Sequence, residues 1–288
     1  MIKAAFAGES GAFAELAARE YFGAAAELSG VPEFEDVFKA VKRRACDFGV
    51  IPIENSFAGS IHQNYDLLLE SKLCIAAEIY MRVNHCLVGK KGTALGDVRR
   101  VFSHPQALAQ CRRFLKHHPR VKLIPAANTA LAARMVGEDG EKDTAAIASR
   151  RAAADHGLKI IAPDIEDSAE NATRFLIISQ KPTENKGLPR KTSIVFSVKN
   201  MPGALFKALG VFALRDIDLF KIESRPIRSK GFEYLFYLDC RGDITDTALK
   251  NAVSHLKEIA TFYRMLGSYD IAPASTTSPM PLDISCKS

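Results

Sequence analysis

What most constrains this chain is an alternation repeated along its first two-thirds: a short apolar run, a polar or glycine-bearing turn, then an amphipathic stretch. Residues 2–7 read as a strand, followed by Gly8-Glu9-Ser10-Gly11 and a helix through Leu16 and Tyr21. Residues 48–53 form a second strand running into Glu54-Asn55-Ser56, with a helix over 61–70. Residues 98–102 lead to Ser103-His104-Pro105. Pro105 suits the first turn of a helix continuing past Cys111, because its missing N–H costs nothing there. Residues 121–124 lead to Asn128-Thr129, N-cap residues for a helix through Met135. Residues 145–148 lead to Ser149 and a helix ending near Gly157. Such a rhythm specifies an α/β domain with a largely parallel sheet.

Two extended segments break it. Residues 73–88 are strand-like for long enough to run from one lobe into another, and 174–179 form a late strand able to return. Two α/β lobes joined by two crossing strands enclose a cleft. The polar, proline-bearing stretch 182–191 then reads as a linker. Beyond it come a strand over 192–198, a helix over 203–214 and a strand over 217–224. A turn at Ser229-Lys230-Gly231, a strand over 232–239, a helix over 245–262 and a strand over 264–269 complete the order. This is the ferredoxin-like βαββαβ pattern. The expected domains are 1–181 and 192–271, with a mobile tail over 272–288, rich in Pro, Ser and Thr.

Composition narrows the partners. A chain of 288 residues with 47% hydrophobic residues has apolar surface for two cores. A net charge of +6, with basic residues interleaved with acids, suits a small anionic ligand better than nucleic acid. Six cysteines without Cys-x-x-Cys spacing read as reduced thiols, with neither a disulfide framework nor a zinc site. Residues 1–7 are too short an apolar run for a signal peptide, and no run approaches a membrane span. A cytoplasmic protein with no membrane partner is expected.

The chemistry points to the strand-to-helix turns, because ligands of open α/β sheets gather at the carboxyl ends of strands. These turns carry Ser10, Asn55, Ser56, Ser103, His104, Asn128, Thr129 and Ser149, small neutral groups suited to a carboxylate. The same residue types also cap helices everywhere. His104 at a helix start serves equally as a proton carrier or as a cap. Cys111 reads as a buried inert thiol, and His117-His118 as solvated. No Walker loop, G-x-G-x-x-G fingerprint or G-x-S-x-G elbow is present.

Four segments carry a resemblance: Gly49-Val50-Ile51-Pro52-Ile53-Glu54-Asn55-Ser56-Phe57-Ala58-Gly59-Ser60-Ile61; Ser103-His104-Pro105-Gln106-Ala107-Leu108-Ala109-Gln110-Cys111; Asp143-Thr144-Ala145-Ala146-Ile147-Ala148-Ser149; and Asn171-Ala172-Thr173-Arg174-Phe175. Together they resemble the prephenate dehydratase family. The segment from Gly59 to Leu69 is also similar to plant-type arogenate dehydratases. In the C-terminal part, Asn200-Met201-Pro202-Gly203-Ala204-Leu205 and Lys221-Ile222-Glu223-Ser224-Arg225-Pro226 are similar to the phenylalanine-responsive ACT domain.

The resemblance implies a two-lobed catalytic domain of the periplasmic-binding-protein type, then the ACT domain. It implies decarboxylating dehydration of prephenate to phenylpyruvate, or of arogenate, without metal or organic cofactor and under feedback by L-phenylalanine. Thr173 is the catalytic residue it implies. Asn55, Ser56, Ser103, His104, Gln106, Thr129, Ser149, Arg174 and Phe175 are its substrate-binding candidates. Arg174 is either a surface ion pair or a carboxylate binder, and Phe175 reads as packing. The 200–205 turn and the 223–226 segment of a partner chain form the effector site, so a homodimer or homotetramer is implied. No helical mutase segment precedes residue 1, so a monofunctional chain is expected. A non-catalytic ligand sensor is the competing reading, since fold does not dictate function.

Overall fold

The computed structural model describes residues 1–139, 141–184, 188–227 and 233–272. The chain starts with β1 (Lys3–Ala7), α1 (Phe13–Phe22), β2 (Glu27–Val31), α2 (Phe34–Lys42) and β3 (Phe48–Asn55). There follow β4 (Gly59–Ser60), α3 (His62–Glu70), β5 (Cys74–Arg82) and β6 (Cys86–Gly89). Next come β7 (Arg100–Ser103), α4 (Pro105–Gln110), α5 (Arg112–Lys116), β8 (Lys122–Pro125) and α6 (Thr129–Asp139). Then β9 (Thr144–Ala148), α7 (Arg150–Asp155), β10 (Lys159–Ala162) and β11 (Ala172–Ser179) follow. The last elements are β12 (Arg190–Val198), α8 (Ala204–Ala213), β13 (Leu219–Pro226), β14 (Tyr234–Arg241), α9 (Thr247–Ile259) and β15 (Ala260–Asp270).

Two sheets make two lobes. The first has the order β2-β1-β3-β11-β5, with β4 paired to β3; the second runs β10-β6-β9-β7-β8. The long extended segment is therefore two strands, β5 in the first sheet and β6 in the second, with the crossing at 83–85. The return crossing, 163–171, delivers β11 between β3 and β5, as the sequence leads one to expect. The sheets are more mixed than that reading holds: β6 pairs antiparallel with both β9 and β10. Strand β2 (edge, with little apolar character), helix α2 and strand β10 were not anticipated. Buried Ala4, Val50, Ile51 and Ile53 fill the first lobe, and Leu87, Val101, Leu108 and Ile147 the second.

The first turn explains how the lobes meet. Gly11 has φ of 85°, and a Cβ there would lie 2.4 Å from Ala152 Cα on α7. Only glycine permits that approach. Ser149, the α7 cap, donates its hydroxyl to Gly11 O at 2.7 Å and accepts Ala152 N–H. The helix expected to continue past Cys111 instead breaks there, at φ −109° and ψ 23°.

The chain separates into two compact units, 1–69 with 79–176 and 70–78 with 177–273. Residues 70–78, read from the sequence as part of the first domain, thus group with the C-terminal elements. Those form a sheet of order β13-β14-β12-β15 with α8 and α9 over a core of Ile194, Phe196, Phe212, Leu238 and Leu256. β12 is buried almost throughout. The sheet's second face meets 70–78: Lys191 Nζ on β12 lies 2.8 Å from Glu78 Oε1, and a Cβ at Gly267 on β15 would collide with Ile75 O at 2.2 Å. β12 opens at Arg190, inside the stretch read as linker, and Arg190 pairs with buried Asp243 at 2.7 Å. The turn at 229–231, the strand start at 232, residues 185–187 of the linker and the tail from 273 lie outside the described residues.

Candidate active site

The return crossing, α4 and the turn after β3 converge on one cavity of about 300 Å³. Its wall includes Phe57 and Ala58 after β3, Gln106, Ala109 and Gln110 on α4, and Glu166, Asp167, Ser168 and Asn171 on the return crossing. Gln106 and Gln110 are four residues apart, so α4 presents both amides on one face. Pro105 starts that helix, and His104 caps it, its Nδ1 accepting Gln106 N–H at 3.2 Å. His104 thus caps the helix through Nδ1, and its partial burial lowers its pKa from the ordinary value.

Behind this wall stands Asn55, 4% exposed. Its Oδ1 accepts the backbone N–H of Phe57 at 3.1 Å and of Ala58 at 3.0 Å, which sets the direction of the amide. Gln106 Nε2 and Gln110 Nε2 approach the same oxygen at 3.3 and 3.2 Å. The Nδ2 end donates to Asn171 Oδ1 at 2.9 Å, Ala172 O at 3.1 Å and Thr173 Oγ1 at 3.0 Å. Asn171, just before β11, and Thr173, on it, stand two positions apart, and both reach Asn55. Because Thr173 Oγ1 accepts from Asn55, its own O–H remains able to donate. Accepting a hydrogen bond strengthens a hydroxyl as a donor.

Several candidates from the sequence hold neighbouring backbone in place. Ser103 is fully buried and donates to Ile147 O at 2.7 Å, tying β7 to β9. Ser149 holds the Gly11 turn, as described. Ser56 Oγ donates to Glu170 O and accepts Ala172 N–H, pinning the return crossing to β3. Asn128 Oδ1 caps α6 through Leu131 N–H at 2.7 Å, and Thr129 opens that helix half-buried. Ser10 donates to Asp155 at 2.7 Å. Serine and asparagine turns around a cleft are thus mostly spent on backbone, for the capping reason given above. Arg174 alternates to the face of β11 opposite Thr173 and is 5% exposed, so the surface ion-pair reading does not hold. Phe175 is 2% exposed and packs in the core. Cys111 is fully buried, and burial pushes its thiol far above the usual range.

Gln110, Asn171, Glu166 and His85 were not singled out. The first two lie inside the quoted motifs and were legible as polar residues adjoining them. Glu166 is a buried carboxylate that accepts His85 N–H at 2.9 Å, with Arg82 at 3.9 Å. His85 Nε2 lies 2.9 Å from Gln110 Oε1. Nothing in a lone histidine between two strands signals this role. Among the described residues no cluster of His, Cys, Asp and Glu is fit to hold a metal ion, and no helix is long and apolar enough to cross a membrane.

In the second unit, residues 200–203 are exposed and Ala204 and Leu205 half-buried. Gly203 has φ of 76° at the N-terminus of α8, and a Cβ there would meet open space. Glu223 and Arg225 are half-buried and Ser224 and Pro226 exposed on β13, an edge strand, with Glu223 3.6 Å from Lys221.

A family profile described as prephenate dehydratase matches residues 4–183, and one described as ACT domain matches 192–254. Arogenate dehydratase/prephenate dehydratase 2, chloroplastic, of Arabidopsis thaliana is 46% identical over 291 residues, covering 96% of this chain and 74% of that protein. The solved prephenate dehydratase from Arthrobacter aurescens in complex with L-Phe aligns with TM-score 0.86 and 31% identity, over 96% of this chain and 95% of that one. A structure described as a novel type of quorum quenching acylase aligns with TM-score 0.86 and 33% identity, over 94% and 98%.

Proposed function

This chain belongs to the prephenate dehydratase family, and from that premise we propose that it converts prephenate to phenylpyruvate, with arogenate as the alternative substrate. The observation that carries the reading is the Asn55–Thr173 pair. In the reaction the bond to the ring carboxylate breaks and its electron pair enters the ring. The carbon–oxygen bond to the ring hydroxyl breaks with its pair on oxygen, which takes a proton and leaves as water. Aromatisation supplies the driving force. Thr173, its oxygen held by Asn55, donates a hydrogen bond to the departing hydroxyl and so stabilises charge that develops only in the transition state, while the proton that completes the water comes from solvent and the threonine keeps its own. The cavity wall of neutral amides and carboxylates gives the scissile carboxylate no counter-charge to settle against.

The same architecture also serves a protein described as an acylase, so fold does not choose the reaction. Acyl transfer needs a base to take the nucleophile's proton. Thr173 Oγ1 instead meets an amide N–H, a donor. That favours dehydration.

L-phenylalanine is the effector in this reading. The Gly203 turn receives its carboxylate, and a partner's 223–226 segment completes the site, so the working form is a homodimer or a tetramer of such pairs. The ACT match and the L-Phe complex of the Arthrobacter relative support it. A cytoplasmic location, expected from the sequence, belongs to the same proposal. The domain reading, with catalysis in 1–181 and regulation in 192–271, belongs to the same proposal. The test is to supply purified protein with prephenate or arogenate, with and without L-phenylalanine. Formation of phenylpyruvate or phenylalanine, suppressed by the effector, is expected; turnover of neither substrate contradicts the reading.

A further inference from the structure

Every polar side chain of the buried cluster has its direction dictated by the one before it. Asn55 Oδ1 faces two backbone N–H groups, which cannot be anything but donors. Gln110, 3.2 Å away, must therefore turn its Nε2 to that oxygen. Its Oε1 then faces outward, where Asn171 Nδ2 donates to it at 3.1 Å and His85 Nε2 lies at 2.9 Å. An acceptor already fixed as an oxygen requires a donor opposite it. His85 thus carries its hydrogen on Nε2 and none on Nδ1.

The imidazole is built to stay so. His85 is 2% exposed, sits on the first crossing between the lobes, and meets the Phe13 ring edge-on at 5.7 Å. Its Nδ1 faces no hydrogen-bond partner among the described residues, which costs less for a bare acceptor than for an N–H. Its backbone N–H is taken by Glu166 and its carbonyl by Ile165 N–H, so the ring cannot shift without moving both crossings. The opposite tautomer would require Gln110 to flip. Gln110 Oε1 would then face Asn55 Oδ1 as two acceptors in contact, and Asn55 would be pressed to turn its amide away from Thr173.

We propose that His85 is a positioning residue for the dehydration: its Nε2–H, through Gln110, locks the polarity of the Asn55–Asn171 amide cluster and thereby keeps the Thr173 hydrogen free for the substrate's departing hydroxyl. This rests on the dehydratase reading above, but its first test does not. Long-range proton–nitrogen spectra of ¹⁵N-histidine-labelled protein report the tautomer of each ring without substrate. The expected result is a neutral Nε2–H resonance that disappears in His85→Gln. A His85 protonated on Nδ1 overturns the proposal whatever the variants do.

The second test uses kinetics. His85→Leu removes the donor and is expected to lower kcat about tenfold or more while KM changes less than about twofold, since orientation and not binding is lost. His85→Gln puts an amide N–H near the Nε2 position and is expected to recover most of kcat. A folded His85→Leu enzyme with wild-type kcat, or a loss that His85→Gln does not recover, contradicts the proposal. Turnover of neither prephenate nor arogenate by the wild type sinks the dehydratase reading instead, and the tautomer still decides the polarity of the cluster.

Discussion

Asn55 behaves as part of the backbone turn that follows β3, since Phe57 and Ala58 hold its oxygen in place. Replacing it by aspartate keeps the shape but removes the donor to Thr173 and Asn171. Asn55→Asp should lower kcat about 100-fold or more, the scale of losing a positioned proton donor. It should also destabilise the fold by about 1–3 kcal/mol through unsatisfied buried acceptors, read from a denaturant melt. Buried His85 and half-buried His104 give a pH signature. Burial, chiefly, depresses the pKa of both His85 and His104 below the ordinary 6.5. For His85, hydrogen bonding to Gln110 and the charge of Glu166 oppose that shift. As pH falls through about 6.5 the unfolded chain takes up protons before the folded one does. Stability is therefore fully present above that pH and declines as pH falls towards the folded values. Melts at pH 7 and pH 5 should show the lower midpoint at pH 5, with a smaller difference in His85→Gln; a midpoint unchanged in the wild type would contradict the assignment.

At the scale of elements, two glycines separate conformation from contact. Gly11 combines a φ of 85° with a Cβ position 2.4 Å from Ala152 Cα, whereas Gly203 has a φ of 76° with open space around it. Gly203→Val should cost about 1–2 kcal/mol from the left-handed backbone alone. Gly11→Ala should cost clearly more, because α7 must also move, and paired thermal melts will rank them. Gly203→Val should in addition abolish phenylalanine inhibition while uninhibited turnover stays near normal; retained inhibition would place the effector elsewhere. The contrast also shows what a sequence discloses. Strands β1, β3, β7 and β9, and the caps at His104 and Ser149, follow from apolar runs and turn chemistry that act over a few residues. The edge strand β2 lacks an apolar run, and β10 pairs antiparallel with a strand some 70 positions away, so neither advertises itself locally. The Asn55 hub was named because it lies in a motif. His85 and Glu166 were not, because their roles come from the crossing connections that bring positions far apart into one cluster.

The whole molecule divides otherwise than its linear order suggests. Residues 70–78 belong to the C-terminal unit, where the Glu78–Lys191 pair is almost fully buried. Removing one partner of such a pair typically costs about 3–5 kcal/mol. A fragment of residues 1–181 would expose Ile75 and Ala76, both buried in the full chain, and strip Glu78 of its partner. It should therefore retain phenylalanine-insensitive turnover but melt well below the intact protein, and Lys191→Met should lower the melting temperature of the full chain by a comparable mechanism. An inactive but folded fragment would show that catalysis needs the C-terminal unit. Catalysis in the intact protein turns on the hydrogen bond that Thr173 gives the departing hydroxyl, and the steady-state kcat of Thr173→Ala beside Thr173→Ser measures it. The alanine enzyme is expected to fall about 100-fold or more in kcat with KM little changed, and the serine enzyme to keep much of the wild-type rate. An alanine variant that turns over prephenate or arogenate as fast as the wild type would contradict it.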